Sequence, residues 1–340
     1  MRPHSSILAR TSRALAVIAS LWLGGCGNDN PQSEAEACPA DPSGSTATLP
    51  LPSGALCGTL QLPSGSGPFP VALIVAGSGP TDRNGNSAFG LRTDAYRELA
   101  EELALRGVAS VRYDKRGVGS SARVTEVDLR PADEADDVAA WLSQLKADPR
   151  FSSVVLVGHS EGSLLGIKAM QKVPAAAFIS LAGPGRPMAQ VFREQLARQL
   201  EGALLEQANH IVDELEAGRT VADVPAQLAS AFRPSVQPYV IALFQYQPSV
   251  EIAKLTLPTL IAQGTTDIQV TVDDAHALAA ARPDAHVLVI DGMCHALKMA
   301  SLDNADQSAA LTDPKRPLAP ALLEGIGVFL RGEDHAIPGG

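Results

Sequence analysis

The sequence Gly158-His159-Ser160-Glu161-Gly162 directly follows the apolar run Val154-Val155-Leu156-Val157. It matches the pattern G-x-S-x-G, a sharp turn between a buried strand and a helix that lifts a serine hydroxyl out of the edge of a sheet. The turn favours glycine two residues before and after the serine, because larger side chains would collide with the strand and the next helix. The residues that follow are largely apolar, as expected of a buried helix: Leu164, Leu165, Ile167 and Met170. This context predicts that Ser160 is a nucleophile at the carboxyl end of a strand.

Strand and helix patterns alternate on both sides of this motif. We predict strands at residues 57–62, 71–76, 108–113, 154–157, 176–181, 259–262 and 286–290, and helices at 93–106, 133–147, 160–172, 273–281 and 318–330. Residues 71–76 are continuously apolar, which is typical of a strand buried on both faces. Alternation with short links predicts an α/β fold in which helices cover both faces of a mostly parallel sheet.

The alternation is interrupted at residues 187–254, which contain no strand pattern. Apolar residues recur there at three- and four-residue intervals from Met188 to Leu215, which predicts one long amphipathic helix, and a second helical stretch surrounds residues 239–246. A helical insertion between two strands of one sheet is the usual form of a lid, and a dimerisation surface or simple padding is the alternative. The predicted domains are a core at residues 46–186 and 255–335 and a helical cap at residues 187–254.

The first 25 residues are predicted to be a secretory signal peptide, with three arginines before an apolar stretch at residues 14–23. This stretch is too short to span a membrane as a mature helix. The sequence Leu23-Gly24-Gly25-Cys26 resembles the bacterial lipoprotein signal, which implies cleavage before Cys26 and acylation of its thiol. An ordinary cleaved signal with an incidental cysteine is the alternative. Gly27 is not the aspartate that retains some lipoproteins in the inner membrane, so we expect an anchor on the periplasmic side of the outer membrane.

Residues 26–45 are rich in small and polar side chains and are predicted to be a flexible tether. Loss of the signal peptide removes three arginines and no acidic residue, which changes the formal net charge from −10 to −13. An acidic chain without a basic run is a poor candidate for binding nucleic acid. In an oxidising compartment Cys38 and Cys57 either form a disulfide or remain as two thiols, whereas Cys294 has no obvious partner.

A serine nucleophile needs a base to remove its proton and a group that orients the base. His295 lies just after the last predicted strand, and Asp267 follows the strand at residues 259–262, so both belong to loops at the same sheet edge as Ser160. The chain order Ser160, Asp267, His295 is the order expected when the motif G-x-S-x-G supplies the nucleophile. The competing acids on nearby segments are Asp273, Asp274, Asp284 and Asp291. Among the other histidines, we expect the side chain of His159 to point away from the serine hydroxyl.

Two backbone N–H groups are needed to stabilise the oxyanion that forms when the serine attacks a carbonyl carbon. One is expected from Glu161, the residue after the nucleophile, and the other from Ser78 in the glycine-rich loop at residues 77–85. A plain glycine-rich turn is the alternative for this loop. Charged residues at positions 114–116 follow the strand at 108–113, and we expect them to form ion pairs that support the loop, with substrate contact as the alternative.

Five segments of the sequence together resemble the α/β-hydrolase superfamily, and within it a group of bacterial serine esterases with a helical cap. The segments are residues 77–85, 112–120, 158–162, 267–270 and 292–298, and the last departs from the group at Cys294, where asparagine is more common. The resemblance covers roughly residues 54–331. It implies an ester hydrolase that acts on a small-molecule ester or acyl substrate through an acyl-enzyme, with Ser160, Asp267 and His295 as the catalytic triad and with neither a metal nor an organic cofactor. An acyltransferase, thioesterase or peptidase with the same triad remains an alternative, as does an inactive binding protein, and the oligomeric state is open.

Overall fold

The computed structural model of the protein describes residues 38–42 and 44–332. Eight strands form one sheet: β1 (Ser45–Leu51), β2 (Gly54–Gln61), β3 (Phe69–Val75), β4 (Ala109–Tyr113), β5 (Phe151–His159), β6 (Ala177–Leu181), β7 (Thr259–Gly264) and β8 (His286–Ile290). Their order across the sheet is β1-β2-β4-β3-β5-β6-β7-β8. The strands β3 to β8 pair with one another in parallel, whereas β1 pairs with β2 and β2 pairs with β4 in antiparallel fashion.

The helices of the described residues alternate with these strands outside one insertion. They are α1 (Ala95–Leu105), α2 (Pro131–Ala147), α3 (Glu161–Met170), α4 (Met188–Gln199), α5 (Gly202–Glu216), α6 (Ala229–Phe232), α7 (Gln237–Phe244), α8 (Pro248–Ile252), α9 (Val272–Ala281), α10 (Asn304–Thr312) and α11 (Pro320–Arg331). A short 3-10 turn, Ala226–Leu228, precedes α6. The predicted fold class, a mostly parallel sheet flanked by helices, is confirmed. Neither β1 nor α10 was predicted from the sequence, because neither contains a continuous apolar run.

The apolar core lies on both faces of the sheet, as predicted for residues 71–76. Alternate side chains of β3 enter different clusters: Val71 and Leu73 pack on one face, and Ala72 and Ile74 on the other. The first cluster is completed by apolar residues of α2, α3 and α9, and the second by those of α1 and α11. Burial on both faces explains why β3 is an uninterrupted apolar run.

The position of the site follows from the order of the strands. The chain runs from β3 to β4 on one side and then crosses to β5 on the other side of β3. The links that follow β3 and β5 therefore diverge and leave a crevice at the carboxyl ends of these two strands, which is where open α/β sheets bind ligands. Gly77 and Ser78 follow the end of β3 after one intervening residue, and Ser160 comes directly after β5.

The helices α4 to α8 lie in the segment that was predicted to be the cap. Those from α4 to α7 share an apolar cluster of their own, to which α3 contributes Leu164, whereas Ile252 of α8 belongs to the first core cluster. The prediction of one long helix from Met188 to Leu215 was wrong. Leu200 and Glu201 are extended, and Gly202 has a φ of 58°, so the chain turns and begins α5. Glycine adopts this left-handed conformation without steric cost, which explains how a continuous apolar stripe is divided between two helices.

The described end of the predicted tether is attached to the core. Cys38 and Cys57 form a disulfide with a Cα–Cα distance of 5.3 Å, and Asp41 is hydrogen-bonded to Thr59 of β2. The predicted signal peptide, the lipid-bearing Cys26 and the tether up to residue 37 lie outside the described residues. In the described part of the chain, no helix has both the length and the apolar composition needed to cross a membrane.

Candidate active site

The turn after β5 holds Ser160 in a backbone conformation that few residues adopt. Its φ is 55° and its ψ is −127°, and α3 begins at the next residue. A Cβ atom at Gly158 would lie 2.5 Å from the carbonyl oxygen of Gly162, and one at Gly162 would lie 2.4 Å from that of Val75. These distances are shorter than any tolerated contact, so both glycines are required for the turn. The serine hydroxyl is thereby held at the sheet edge by packed backbone.

The structure brings together the three residues that the sequence analysis selected. Nε2 of His295 lies 3.0 Å from Oγ of Ser160, and Nδ1 of His295 lies 2.8 Å from Oδ2 of Asp267. All three side chains are buried. The arrangement allows the serine hydroxyl to donate to Nε2 while Nδ1–H donates to the carboxylate, which is the geometry of a nucleophile, a base and an orienting acid.

The carboxylate of Asp267 is fixed by more than the histidine. Its Oδ1 accepts hydrogen bonds from the backbone N–H groups of Gln269 (2.8 Å) and Val270 (2.9 Å). Nε2 of Gln263 donates to Oδ2 over 3.1 Å and to the carbonyl oxygen of Val270 over 2.8 Å. Gln263 was missed in the sequence, although a polar residue near the end of the apolar strand β7 was a visible signal.

Three of the four competing acids form other contacts. Asp274 forms an ion pair of 2.8 Å with Arg186, and Asp284 forms one of 2.8 Å with Arg282. Asp291 accepts a hydrogen bond of 2.9 Å from the hydroxyl of Thr265. Of the candidate acids, Asp267 is the one that contacts His295.

His159 does not contact the serine hydroxyl, but it links the loop of His295 to the loop after β3 through Tyr96. Its Nε2 lies 2.9 Å from the carbonyl oxygen of His295, and its Nδ1 lies 2.7 Å from the hydroxyl of Tyr96. The same hydroxyl accepts a bond of 3.2 Å from the backbone N–H of Gly77. Since the carbonyl needs a donor, Nε2 carries the proton and Nδ1 accepts from Tyr96. Burial, reinforced by the neighbouring His295, lowers the pKa of His159 to about 3, so its ring stays neutral.

The loop after β3 runs directly beside the nucleophile. A Cβ atom at Gly77 would lie 3.0 Å from Cβ and 3.5 Å from Oγ of Ser160. The hydroxyl of Ser78 is hydrogen-bonded to the carboxyl group of Glu161, the first residue of α3. The N–H of a first helical residue has no acceptor within its own helix, so that of Glu161 is available to a ligand. The backbone groups predicted for the oxyanion hole are thus on adjacent segments, although their role stays a prediction.

The charged segment after β4 supports this loop, as the sequence analysis expected. Nζ of Lys115 donates to the carbonyl oxygen of Gly77 over 2.9 Å. Asp114 accepts bonds from the backbone N–H (2.8 Å) and the guanidinium (2.7 Å) of Arg83, and Arg116 pairs with Asp137. These contacts are ion pairs and loop hydrogen bonds.

Cys294, the residue that departs from the pattern of the capped esterases, is buried beside His295. Its backbone N–H donates to the carbonyl oxygen of Lys298 over 2.9 Å, which closes a tight turn around the histidine. The ammonium group of Lys298 is itself buried and donates to the carbonyl oxygens of Thr93 (2.7 Å) and Asp313 (3.0 Å). Backbone and lysine contacts therefore hold the histidine loop without an asparagine side chain.

A pocket of about 60 Å³ opens beside Ser160 and His295. Its walls are formed by loop backbone at Gly77 and Ser78 and by small polar or apolar side chains such as Thr81, Leu91 and Leu311. None of the described residues that line it carries a carboxylate, an ammonium or a guanidinium group, and none belongs to the cap. Among residues 38–42 and 44–332, no group of three or more histidine, cysteine or acidic side chains is arranged to hold a metal ion.

Comparisons with known proteins agree with this architecture. Residues 89–299 match the family described as serine aminopeptidase, S33. Esterase EstD from Thermotoga maritima is 26% identical over 243 residues, which cover 71% of this chain and 57% of EstD, so the match spans little more than half of that relative.

Two solved structures share the fold at low sequence identity. Est1E from Butyrivibrio proteoclasticus with bound ferulic acid is 18% identical with a TM-score of 0.57, and the match covers 84% of this chain and 98% of Est1E. Proline iminopeptidase from Mycobacterium smegmatis is 17% identical with a TM-score of 0.53, and the match covers 85% and 99% of the two chains. The family match extends over more than half of the sequence, and the chain therefore belongs to the serine aminopeptidase, S33 family of α/β hydrolases.

Proposed function

We propose that the protein is a serine hydrolase that cleaves carboxylic esters through an acyl-enzyme intermediate. The observation that carries the proposal is the continuous series of hydrogen bonds from Asp267 through His295 to Ser160, at 2.8 Å and 3.0 Å. A serine hydroxyl is a weak nucleophile unless a base takes its proton as it attacks. The distances support transfer of that proton to Nε2 of His295.

The proposed reaction has two halves. In the first half Oγ of Ser160 attacks the ester carbonyl carbon, its proton passes to His295, and Asp267 stabilises the resulting imidazolium and keeps Nδ1 protonated. The imidazolium then gives its proton to the leaving alcohol. In the second half water takes the place of the alcohol, and the same base activates it to release the acid. The backbone N–H groups of Ser78 and Glu161 would stabilise the oxyanion in both halves.

The chemistry of the pocket favours esters over peptides with a free amino terminus. An aminopeptidase has to bind a substrate ammonium group, and a buried cation needs a carboxylate partner. The pocket beside Ser160 offers hydroxyls, backbone and apolar side chains but no carboxylate among the described residues that line it. Its volume of about 60 Å³ further favours a short acyl chain. The name of EstD is consistent with this choice, whereas the family description names the aminopeptidase activity of other members.

The test is a comparison of leaving groups and acyl lengths on the purified protein. We expect hydrolysis of p-nitrophenyl acetate and butyrate, a fall in kcat/KM with longer chains, and little turnover of proline or alanine p-nitroanilide. Efficient transfer of the acyl group to a dilute alcohol in preference to water would instead identify an acyltransferase. Efficient cleavage of the amino-acid anilides without ester cleavage would overturn the proposal.

We also propose that the chain is exported and lipid-anchored through Cys26, as the sequence Leu23-Gly24-Gly25-Cys26 implies. The Cys38–Cys57 disulfide supports export, because disulfides persist mainly in oxidising compartments. Radiolabelled palmitate should enter the wild-type protein in bacteria and should be absent from Cys26→Ser. Equal labelling of the two proteins would contradict the anchor.

A further inference from the structure

A buried chain of hydrogen bonds runs from the cap to the loop that holds Ser78. The carboxyl group of Glu161 is hydrogen-bonded through one oxygen to the hydroxyl of Ser78 and through the other to the hydroxyl of Tyr239. Tyr239 belongs to α7 of the cap, and both Tyr239 and Glu161 are buried. The residue that follows the nucleophile is therefore the link between the cap and the loop after β3.

The chain continues beyond Tyr239 and returns to the same loop. The hydroxyl of Tyr239 also lies 2.7 Å from Oε2 of Glu134 on α2, and Nζ of Lys115 lies 3.5 Å from the other oxygen of Glu134. The ammonium group of Lys115 then donates to the carbonyl oxygen of Gly77 over 2.9 Å. The contacts form a closed ring that begins at Ser78, passes through the cap and ends at Gly77. One network therefore holds both Ser78, the predicted oxyanion donor, and Gly77, the residue before it.

The number of protons available for these hydrogen bonds decides whether Glu161 is ionised or neutral. Tyr239 has one hydroxyl proton but bonds two carboxyl groups, so one of the carboxyl groups has to donate a proton of its own. Burial raises the pKa of Glu161. The raised pKa favours Glu161 as the carboxyl group that is neutral and donates to Tyr239.

The residues that line the pocket beside Ser160 belong to the core, whereas the ring of hydrogen bonds reaches Tyr239 in the cap, so the ring is a route by which the cap can act on the reaction. We propose that Glu161 is a positioning residue through which Tyr239 of the cap holds the Ser78 N–H in the place where the oxyanion forms. The inference rests on the proposed hydrolytic function and adds to it a named connection between cap and oxyanion hole. Small displacements of a group that acts in the transition state change the rate more than substrate binding.

The experiment measures kcat and KM for p-nitrophenyl acetate in Tyr239→Phe, Ser78→Ala, their double variant, Glu161→Ala and Glu161→Gln. Rates are divided by the concentration of active sites titrated with a fluorophosphonate, so that unfolded protein does not lower the apparent kcat. The matched control is Tyr246→Phe, which removes a hydroxyl from a cap tyrosine whose ring lies 5.1 Å from the ammonium group of Lys168. If Tyr239→Phe does not fold, Ser78→Ala tests the same connection from the loop side and keeps the backbone N–H.

We expect Tyr239→Phe and Ser78→Ala each to lower kcat by roughly 10- to 100-fold with little change in KM, and Tyr246→Phe to behave as the wild type. The double variant should lose little more than the larger single loss, since both substitutions break one connection. Glu161→Gln should recover most of the rate lost in Glu161→Ala, because an amide replaces a neutral acid as donor and acceptor. Multiplicative losses in the double variant, or a Glu161→Gln variant as slow as Glu161→Ala, would overturn the inference. A wild-type protein that neither hydrolyses esters nor titrates would instead refute the proposed function.

Discussion

Nε2 of His159 donates a hydrogen bond of 2.9 Å to the backbone carbonyl oxygen of His295, so the residue before the nucleophile holds the loop of the base. Through Tyr96 the same imidazole ring also reaches the backbone N–H of Gly77. The two sides of the crevice are therefore joined behind the reacting groups by a side chain that takes no proton from Ser160.

We expect His159→Phe to lower kcat by roughly 10- to 100-fold with little change in KM, because the loops of His295 and Gly77 lose their common anchor. The variant also leaves the buried hydroxyl of Tyr96 without its acceptor, which costs about 1–3 kcal/mol of stability. Steady-state kinetics and urea unfolding measure the two effects. The control is His276→Phe on the exposed surface of α9. An unchanged kcat in His159→Phe would show that the imidazole ring of His159 does not position the two loops for catalysis.

The neutral ring of His159 also predicts a dependence of stability on pH. Its pKa is about 3 in the folded state and about 6.5 in an unfolded chain, so between these values the unfolded state alone is protonated. The contribution of His159 to stability is complete above pH 6.5 and is lost as the pH falls towards 3, by up to roughly 1.4 kcal/mol per pH unit.

Urea unfolding of the wild type and His159→Phe at pH 7, 6, 5 and 4 isolates this contribution as a difference. Asp137, whose pKa burial raises to about 6, acts in the opposite sense because its folded form gains stability as the pH falls. Because Asp137 is present in both proteins, its contribution cancels in the difference between them. Parallel stability curves over this range would contradict the prediction.

The contact between Nδ1 of His295 and Oδ2 of Asp267 predicts that Asp267→Asn keeps the fold but loses the correct tautomer of the base. We expect kcat to fall by roughly 10³- to 10⁴-fold. The matched control is Asp291→Asn, since Asp291 lies on the same sheet edge and bonds the hydroxyl of Thr265 instead of the histidine. A fall of less than about tenfold in Asp267→Asn would mean that another group orients His295.

The disulfide between Cys38 and Cys57 closes a segment with a sequence separation of 19 residues. Restriction of the unfolded chain by a loop of this length stabilises a protein by about 3 kcal/mol. Reductant should therefore lower the urea midpoint of the wild type to that of Cys38→Ala and should leave the variant unchanged. Equal midpoints for the wild type with and without reductant would show that the bond adds no stability.

The sequence predicted that Ser160, Asp267 and His295 lie at one edge of the sheet, because each follows a strand of recognisable pattern, and the structure brings their side chains into contact there. The sequence did not predict the ring through Tyr239, which lies 78 residues from Glu161 and contacts it only because the cap packs on α2 and α3. The break at Gly202 was missed for a related reason. Apolar spacing continues on both sides of the glycine, so the pattern reports the buried face and not the direction of the chain.

The most direct measurement is reaction of the purified protein with a fluorophosphonate, followed by mass spectrometry of the intact chain and of its peptides. We predict one adduct per chain, located on Ser160, with no adduct in Ser160→Ala and a much slower reaction in His295→Ala. A folded wild-type protein that remains unlabelled, or that is labelled elsewhere while Ser160→Ala retains turnover, would contradict the assignment of Ser160 as the nucleophile.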